Sequence, residues 1–264
     1  MKLTLLEIVM DILSDMDSDE VNSIFDTTES EQVAQIVKSS YMAMMSNRDW
    51  PHQRRAIQLN PYSDPGYPTH MKVQDEIKRL VFINYNCARA GETRLRYMPI
   101  HWREPEEFLQ LTNQLNSEQD NVDLVTDPTG VQFLIQNDRH PTYFTSFDDV
   151  TLIFNSYDKS VDDTLQNSKV QAQAYVMPQW SHEDSFIPDL PVDAFTALQE
   201  EAKSRAMVKL KQMEDPKAEG EARRQQRWLA RNDWRVKGGI EYPNYGRRGR
   251  KAGYRKDPTF RQGW

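Results

Sequence analysis

Apolar residues near the N-terminus recur at intervals of three and four positions, which is the spacing of one helix face. The first such stretch runs from Leu5 to Met16 and the second from Val33 to Met44. Thr28 and Glu31 have the spacing of a capping box, which satisfies free N–H groups at a helix start. The pattern therefore predicts two helices, the second beginning at the Thr28–Glu31 box and ending near Asn47.

From Trp50 onward the pattern changes to short apolar runs separated by turn residues, such as Asn60-Pro61 and Asp64-Pro65-Gly66. Such runs are typical of β-strands. One helix interrupts them, predicted from Pro105 to Leu115 because two Glu residues in its first turn favour the helix dipole. Strands are predicted at Arg55–Leu59, Arg79–Asn84, Thr93–Met98, Val131–Gln136, Thr142–Phe147, Val150–Asn155 and Val170–Val176.

Helical spacing returns from Phe195 to Met213, and Pro216 is expected to interrupt it. A charged segment, Ala218 to Lys237, follows and contains two Trp residues. From Gly238 the last 27 residues are rich in Tyr, Arg, Gly and Pro. Such a composition buries too little apolar surface to fold alone, so this tail is expected to be disordered until it binds a partner. Fully extended, it would reach about 90 Å.

The patterns together predict an α+β protein whose helical base is formed by both ends of the chain. Residues 1–49 form the N-terminal part of that base, and residues 188–237 form its C-terminal part. Residues 50–187 form a β-rich insertion with one helix, and residues 238–264 form an extended basic arm.

The charge is divided unevenly between these parts. Residues 220–264 contain ten Arg and three Lys against four acidic residues, a net charge of +9. The whole chain has a formal net charge of −7, so the remaining residues carry −16. A charge asymmetry of this size indicates which partners the protein could bind, and it does not indicate the fold. It suits an acidic protein surface, nucleic acid or a second copy of the chain, and composition does not choose among them.

The sequence contains few features of catalysis or metal binding. The single cysteine, Cys87, cannot form an intramolecular disulfide, and a cytosolic origin is expected. No apolar run approaches the roughly 18 residues that span a membrane. Dinucleotide, Walker, zinc-protease and esterase motifs are all missing. His182-Glu183-Asp184 is the nearest to a metal or acid–base cluster, but adjacent side chains usually point apart. No catalytic residue, metal site or cofactor is therefore predicted.

Six stretches, in order along the whole chain, resemble the head-to-tail adaptors of short-tailed bacteriophages, also called tail tubular protein A. No single stretch is diagnostic, whereas their order and spacing together are fairly specific. They are Leu5–Val9, Asp11–Asp15, Asp19–Ile24, Glu31–Ala34, Pro141–Asp149 and Glu219–Trp228, the last with Ala222-Arg223-Arg224-Gln225 at its centre.

The resemblance implies a structural virion protein that is not an enzyme. Such adaptors form a ring, expected to be a dodecamer, between the portal protein of the filled head and the tail nozzle protein, with tail fibres nearby. DNA would pass through the ring during ejection without specific binding. The protein would be assembled in the host cytoplasm and reside in the virion tail, with no membrane partner.

The resemblance also implies that the C-terminal segment engages the portal. Arg side chains can pair with carboxylates through two parallel hydrogen bonds, and large aromatic side chains can anchor an interface. The predicted interface residues are Trp228, Trp234, Tyr245, Arg247, Arg248, Arg250, Lys251, Tyr254, Arg255, Phe260, Arg261 and Trp264. The two Trp residues at 228 and 234 could equally pack against the protein's own helices.

Two other functions remain open from the residues. Gly246–Lys251 could serve a nucleic-acid-binding protein as a flexible basic patch, although the acidic remainder would repel phosphate. Less expected is a cell-wall glycan hydrolase, which needs two carboxylates about 5 to 9.5 Å apart.

Overall fold

The computed structural model describes residues 2–89 and 92–231. It is an α+β fold, as the sequence predicts. The helices are α1 (Leu5–Asp15), α2 (Thr28–Ser46), α3 (Pro105–Thr112), α4 (Phe195–Ala206) and α5 (Pro216–Arg231). The strands are β1 (Arg54–Ile57), β2 (Asn60–Pro61), β3 (His70–Lys72), β4 (Ile77–Asn86), β5 (Tyr97–Trp102), β6 (Val122–Thr126), β7 (Gln132–Gln136), β8 (Tyr143–Thr145), β9 (Thr151–Phe154) and β10 (Val170–Val176).

The first two helices both begin with a capping box. In α1 the box joins Thr4 and Glu7. In α2 it joins Thr27 and Ser30, so the predicted Thr28–Glu31 pair is wrong by one residue. Thr27 has an extended backbone, and its hydroxyl oxygen accepts the Ser30 N–H at 3.0 Å. Thr28 already belongs to the helix, and a cap residue must lie outside it.

Helices from both ends of the chain bury their apolar faces in one core. From the N-terminal end, Ile8, Val37 and Tyr41 contribute fully buried side chains. Leu198 of α4 and Leu229 of α5 join the same core from the C-terminal end. Because neither pair of helices could cover its apolar face alone, the two ends of the chain fold together.

The helical run predicted to reach Met213 is shorter than expected. The α-helical part of α4 ends at Ala206, and one π-helical turn follows over Met207–Lys211. Gln212 then takes a left-handed backbone conformation, with φ of 53°. Pro216 begins α5 instead of interrupting a helix, because the first helical residue needs no N–H donor.

Eight strands form one mixed sheet in the order β1-β10-β4-β5-β8-β9-β3-β2, and β6 and β7 form a separate hairpin. The β5–β8 pair is parallel, and the other pairs are antiparallel. The strand predicted at Thr93–Met98 lies at Tyr97–Trp102. The prediction omitted β2, β3 and β6, because two- and three-residue strands are too short to show alternation and β6 is half polar.

The sheet has its own core, separate from that of the helices. Phe108 of α3 and Phe133 of β7 are buried there beside Ile153 and Phe154 of β9. The rings of Phe108 and Phe133 meet edge to face, with centroids 6.5 Å apart. The described part of the chain therefore contains a helical core and a sheet core.

Within residues 2–89 and 92–231, no helix combines the length and apolar content needed to cross a membrane.

Candidate interaction surface

Helix α5 is anchored to the base by one face. Ala218, Ala222 and Leu229 on that face are buried, and Leu229 is only 4% exposed. The Arg48 guanidinium, next to the end of α2, donates a hydrogen bond of 2.6 Å to the Leu229 carbonyl oxygen. Carbonyl groups of a last helical turn lack partners within the helix, and a cation there also suits the helix dipole. This contact fixes the end of α5 from which the basic arm continues.

The exposed side chains of α5 include two arginines. Arg223 and Arg224 are mostly solvent-exposed and form ion pairs with Glu219 and Glu221 of the same helix. Exposed pairs of this kind contribute little stability. Within the described residues, Arg223 and Arg224 form ion pairs with their own helix, so an incoming carboxylate could exchange with those partners at small cost.

Trp228 is the predicted interface residue that the structure describes. Its side chain is 45% exposed, whereas the adjacent Leu229 is buried. A half-exposed Trp at the end of a docked helix can act as a binding anchor, as large aromatic side chains often do at interfaces. The other predicted interface residues lie outside the described part of the chain: Trp234, Tyr245, Arg247, Arg248, Arg250, Lys251, Tyr254, Arg255, Phe260, Arg261 and Trp264.

A groove of about 530 Å³ lies between α2, α4 and α5. Met44, Trp50 and Leu229 give it an apolar part, while ion pairs of Arg205 with Glu201 and of Arg223 with Glu219 line its polar part. Sequence analysis did not find this groove, because it is created by helices from opposite ends of the chain.

The sheet presents a second surface that sequence analysis missed. A cleft of about 760 Å³ opens beside the first half of β4, with Val81 and Trp102 exposed at its edge. β4 pairs with β5 only from Ile83 to Asn86, because β5 then turns to pair with β8. The one available signal was the unbroken apolar run Leu80–Ile83. A half-exposed strand normally alternates, so such a run indicates apolar side chains on both faces.

The segment His182-Glu183-Asp184 braces the start of α1 and the loop after it. The Asp184 carboxylate accepts the Ile24 N–H at 2.8 Å, and its carbonyl oxygen accepts the Leu6 N–H at 3.3 Å. The His182 ring meets Phe25 edge to face, with centroids 5.5 Å apart. These contacts give His182-Glu183-Asp184 a structural role in holding α1 and the loop that follows it.

Catalytic features are sparse in the described residues. No three His, Cys, Asp or Glu side chains there are grouped so as to hold a metal ion. Burial raises the pKa of the Cys87 thiol, although Arg96 and Lys169 act in the opposite direction. A protonated thiol is a weak nucleophile.

No protein-family profile matches the chain, and no curated protein sequence matches it.

Proposed function

We propose that this protein is a ring-forming structural adaptor that joins the portal of a phage head to the tail nozzle. The observation that carries the proposal is the arrangement of α5. One of its faces is buried in the helical base, while Arg223, Arg224 and Trp228 are exposed on the rest of the helix. A rigid helix thus leads into a segment whose composition suits a partner surface.

The charge distribution supports the same proposal. A strongly basic end on an acidic protein suits recognition of an acidic protein surface. In a ring, one face of each subunit meets a different face of the next, and the geometry of this contact sets the number of copies. The family resemblance supplies the expectation of twelve copies.

The two cores suggest which part of the adaptor would contact each partner. In the proposed complex the helical base faces the portal, with the basic arm ordering on it. Coupled ordering of this kind lowers the net affinity per contact but allows a long wrapped interface. The sheet, with the cleft beside Val81 and Trp102, faces the nozzle and the fibres.

The negative charge of the chain outside residues 220–264 would affect how DNA passes through the ring. DNA would not adhere to a ring lumen lined by carboxylates, because like charges repel. If neutralising the lumen acids left genome delivery unchanged, this account of the lumen would be wrong.

The first experiment is to measure the mass of the full chain by native mass spectrometry, alone and after mixing with the portal protein. About twelve copies on the portal are expected. A persistent monomer that ignores the portal and binds DNA in a salt-sensitive manner would instead favour a nucleic-acid-binding protein, since phosphate contacts weaken steeply with salt.

A truncated chain ending at Gly238 tests the arm. Because the described residues form both cores, circular dichroism should show an unchanged fold, while docking to the portal should be lost. As a matched pair, charge reversal of Arg247, Arg248 and Arg250 should abolish docking, whereas charge reversal of Lys209 on the base should not. Equal affinity of the truncated and full chains would refute the role of the arm.

A further inference from the structure

A polar pocket on the sheet domain lies apart from α5 and from the apolar cleft. It has a volume of about 230 Å³ and forms where the end of β4 meets the loops that follow β7 and β9. We call it the basic pocket, because Arg89, Arg96, Arg139, His140 and Lys169 all line it. Five nitrogen-bearing side chains from separate parts of the chain thus converge on one small cavity.

The acidic side chains of the basic pocket are largely committed to other contacts. Asp162 pairs with Lys169, and Asp138 pairs with Arg139 at 3.2 Å. Asp158 accepts hydrogen bonds from the backbone N–H and the hydroxyl of Ser160, at 3.1 and 2.5 Å. The three carboxylates offset three of the four Arg and Lys charges of the lining, which leaves it with a net charge of +1 when His140 is neutral.

Arg89 and Arg96 are the cations without an acidic partner. Within residues 2–89 and 92–231, neither guanidinium takes part in an ion pair. Both line the pocket. A guanidinium offers several N–H donors in a planar fork that fits carboxylate, phosphate or sulfate oxygens. Two of them beside one cavity form an anion-recognition arrangement.

The sequence around Asn86 holds this arrangement in place. The Asn86 side-chain oxygen accepts the N–H groups of Ala88 and Arg96, both at 3.1 Å. These bonds hold the Arg96 backbone beside the end of β4. On the other side, an isolated bridge pairs Asp138 with Asp158 and positions the loop that carries His140.

The floor of the pocket is aromatic and apolar. Tyr85, Tyr157 and Leu165 are all buried there. The hydroxyl groups are already used: Tyr85 accepts the Gln166 N–H at 3.2 Å, and Tyr157 donates to Asp123 at 2.5 Å. The groups of the lining that suit an anion are therefore its basic side chains.

We infer that the basic pocket binds a tetrahedral oxyanion, either free or carried on a small sugar, through Arg89, Arg96 and His140. The oxyanion would receive N–H donors from the two guanidinium groups and the imidazole. A sugar ring would lie against the tyrosine floor. This inference does not depend on the adaptor function, because it concerns a different part of the molecule.

His140 gives the site a dependence on pH. Burial lowers the pKa of His140, the nearby Arg96 and Arg139 lower it further, and Asp158 opposes them. The other ionisable groups lining the cavity are Arg89, Asp138, Asp162, Lys169, Cys87 and the two tyrosines. A bound anion favours the imidazolium form, so binding takes up a proton and strengthens as the pH falls.

Cys87 provides a reporter at the site. It is the only cysteine in the chain and lines the pocket. An occupied pocket should slow its reaction with N-ethylmaleimide, a neutral reagent that does not compete as an anion. Because the reporter is local, oxyanions bound elsewhere on the basic arm do not contribute to the signal.

The experiment measures the reaction rate of the full chain against increasing sulfate, inorganic phosphate, glucose 6-phosphate and glucose, at constant ionic strength. We expect saturable protection by the three anions and none by glucose. Arg96→Gln should raise the half-protecting concentration about tenfold or more, since a charge-assisted hydrogen bond is lost. Arg89→Gln should act in the same direction, whereas Arg94→Gln, which removes a nearby exposed arginine, should not.

The sulfate titration is repeated at pH 6 and pH 7.5, because sulfate does not titrate in this range. The half-protecting concentration should be lower at pH 6, and His140→Gln should remove the difference. Stronger protection by glucose 6-phosphate than by phosphate would identify a sugar-borne oxyanion, and equal protection a free one. Absence of saturable protection, or an unchanged half-protecting concentration in Arg96→Gln with its fold intact, would overturn the inference.

Discussion

The attachment of α5 to the helical base can be tested by replacing one side chain. Leu229 is 4% exposed and belongs to the core shared by both ends of the chain. Leu229→Ala would leave a cavity there while keeping the backbone carbonyl that Arg48 contacts. The adjacent Trp228, which is 45% exposed, provides a matched control as Trp228→Ala.

The magnitude follows from burial. Replacing a buried Leu by Ala costs about 2 to 5 kcal/mol, depending on how well the site relaxes. Leu229 lies in the last turn of α5, where relaxation is easier, so about 2 to 3 kcal/mol is expected. For a protein of this size, that corresponds to a fall in Tm of roughly 4 to 12 °C. Trp228→Ala should cost about 1 kcal/mol or less, because surface substitutions are usually mild.

Urea unfolding followed by far-ultraviolet circular dichroism measures the free energy of unfolding without depending on Trp fluorescence. A lower midpoint with an unchanged slope would show that α5 unfolds together with the base. If Leu229→Ala cost less than about 0.5 kcal/mol, or no more than Trp228→Ala, α5 would not be anchored through Leu229.

Two further predictions concern the N-terminal cap and the pH dependence of stability. Thr27→Ala should lower the free energy of unfolding in urea by about 1 kcal/mol because it removes the α2 cap, whereas Thr28→Ala should lower it much less. A larger effect of Thr28→Ala would instead support Thr28 as the cap residue, as the sequence predicts. Burial lowers the pKa of His70, which contacts Asp127 at 3.1 Å. Because the pKa of His70 is lower in the folded protein than in the unfolded chain, the unfolded chain takes up a proton first as the pH falls from about 7 to 5. The free energy of unfolding should therefore fall over this range, and His70→Gln should flatten the decline; an unchanged slope would contradict this. Asp127→Asn removes a contact that raises the His70 pKa and should steepen the decline.

Much of the fold could be predicted from local patterns. Both N-terminal helices and the long strand at Val170–Val176 lie where the spacing of apolar residues places them. These elements are long or strongly periodic. The helix predicted from the acidic first turn at Pro105 is also present, but it ends at Thr112 instead of Leu115. The shortest strands were missed because two or three residues cannot show a period, and they form only when a neighbouring strand supplies their hydrogen bonds.

The candidate surfaces depend more heavily on tertiary structure. Trp228 and Leu229 are adjacent large apolar residues, and the sequence alone does not show that one is exposed and the other buried. The packing of α5 on the base decides this. The basic pocket is a stronger case, because Arg96, Arg139 and Lys169 are far apart in the chain and meet only through the pairing of strands and loops.

The sequence by itself determined the α+β class and the opposed charges of the arm and the rest of the chain, because periodicity and charge are local or additive properties. Tertiary structure decided that α5 docks by one face beside α2 and α4. It also decided that β5 leaves β4 to open the apolar cleft and that separate loops enclose the basic pocket. These features depend on contacts between residues distant in sequence, and such contacts leave no periodic signal in any one segment.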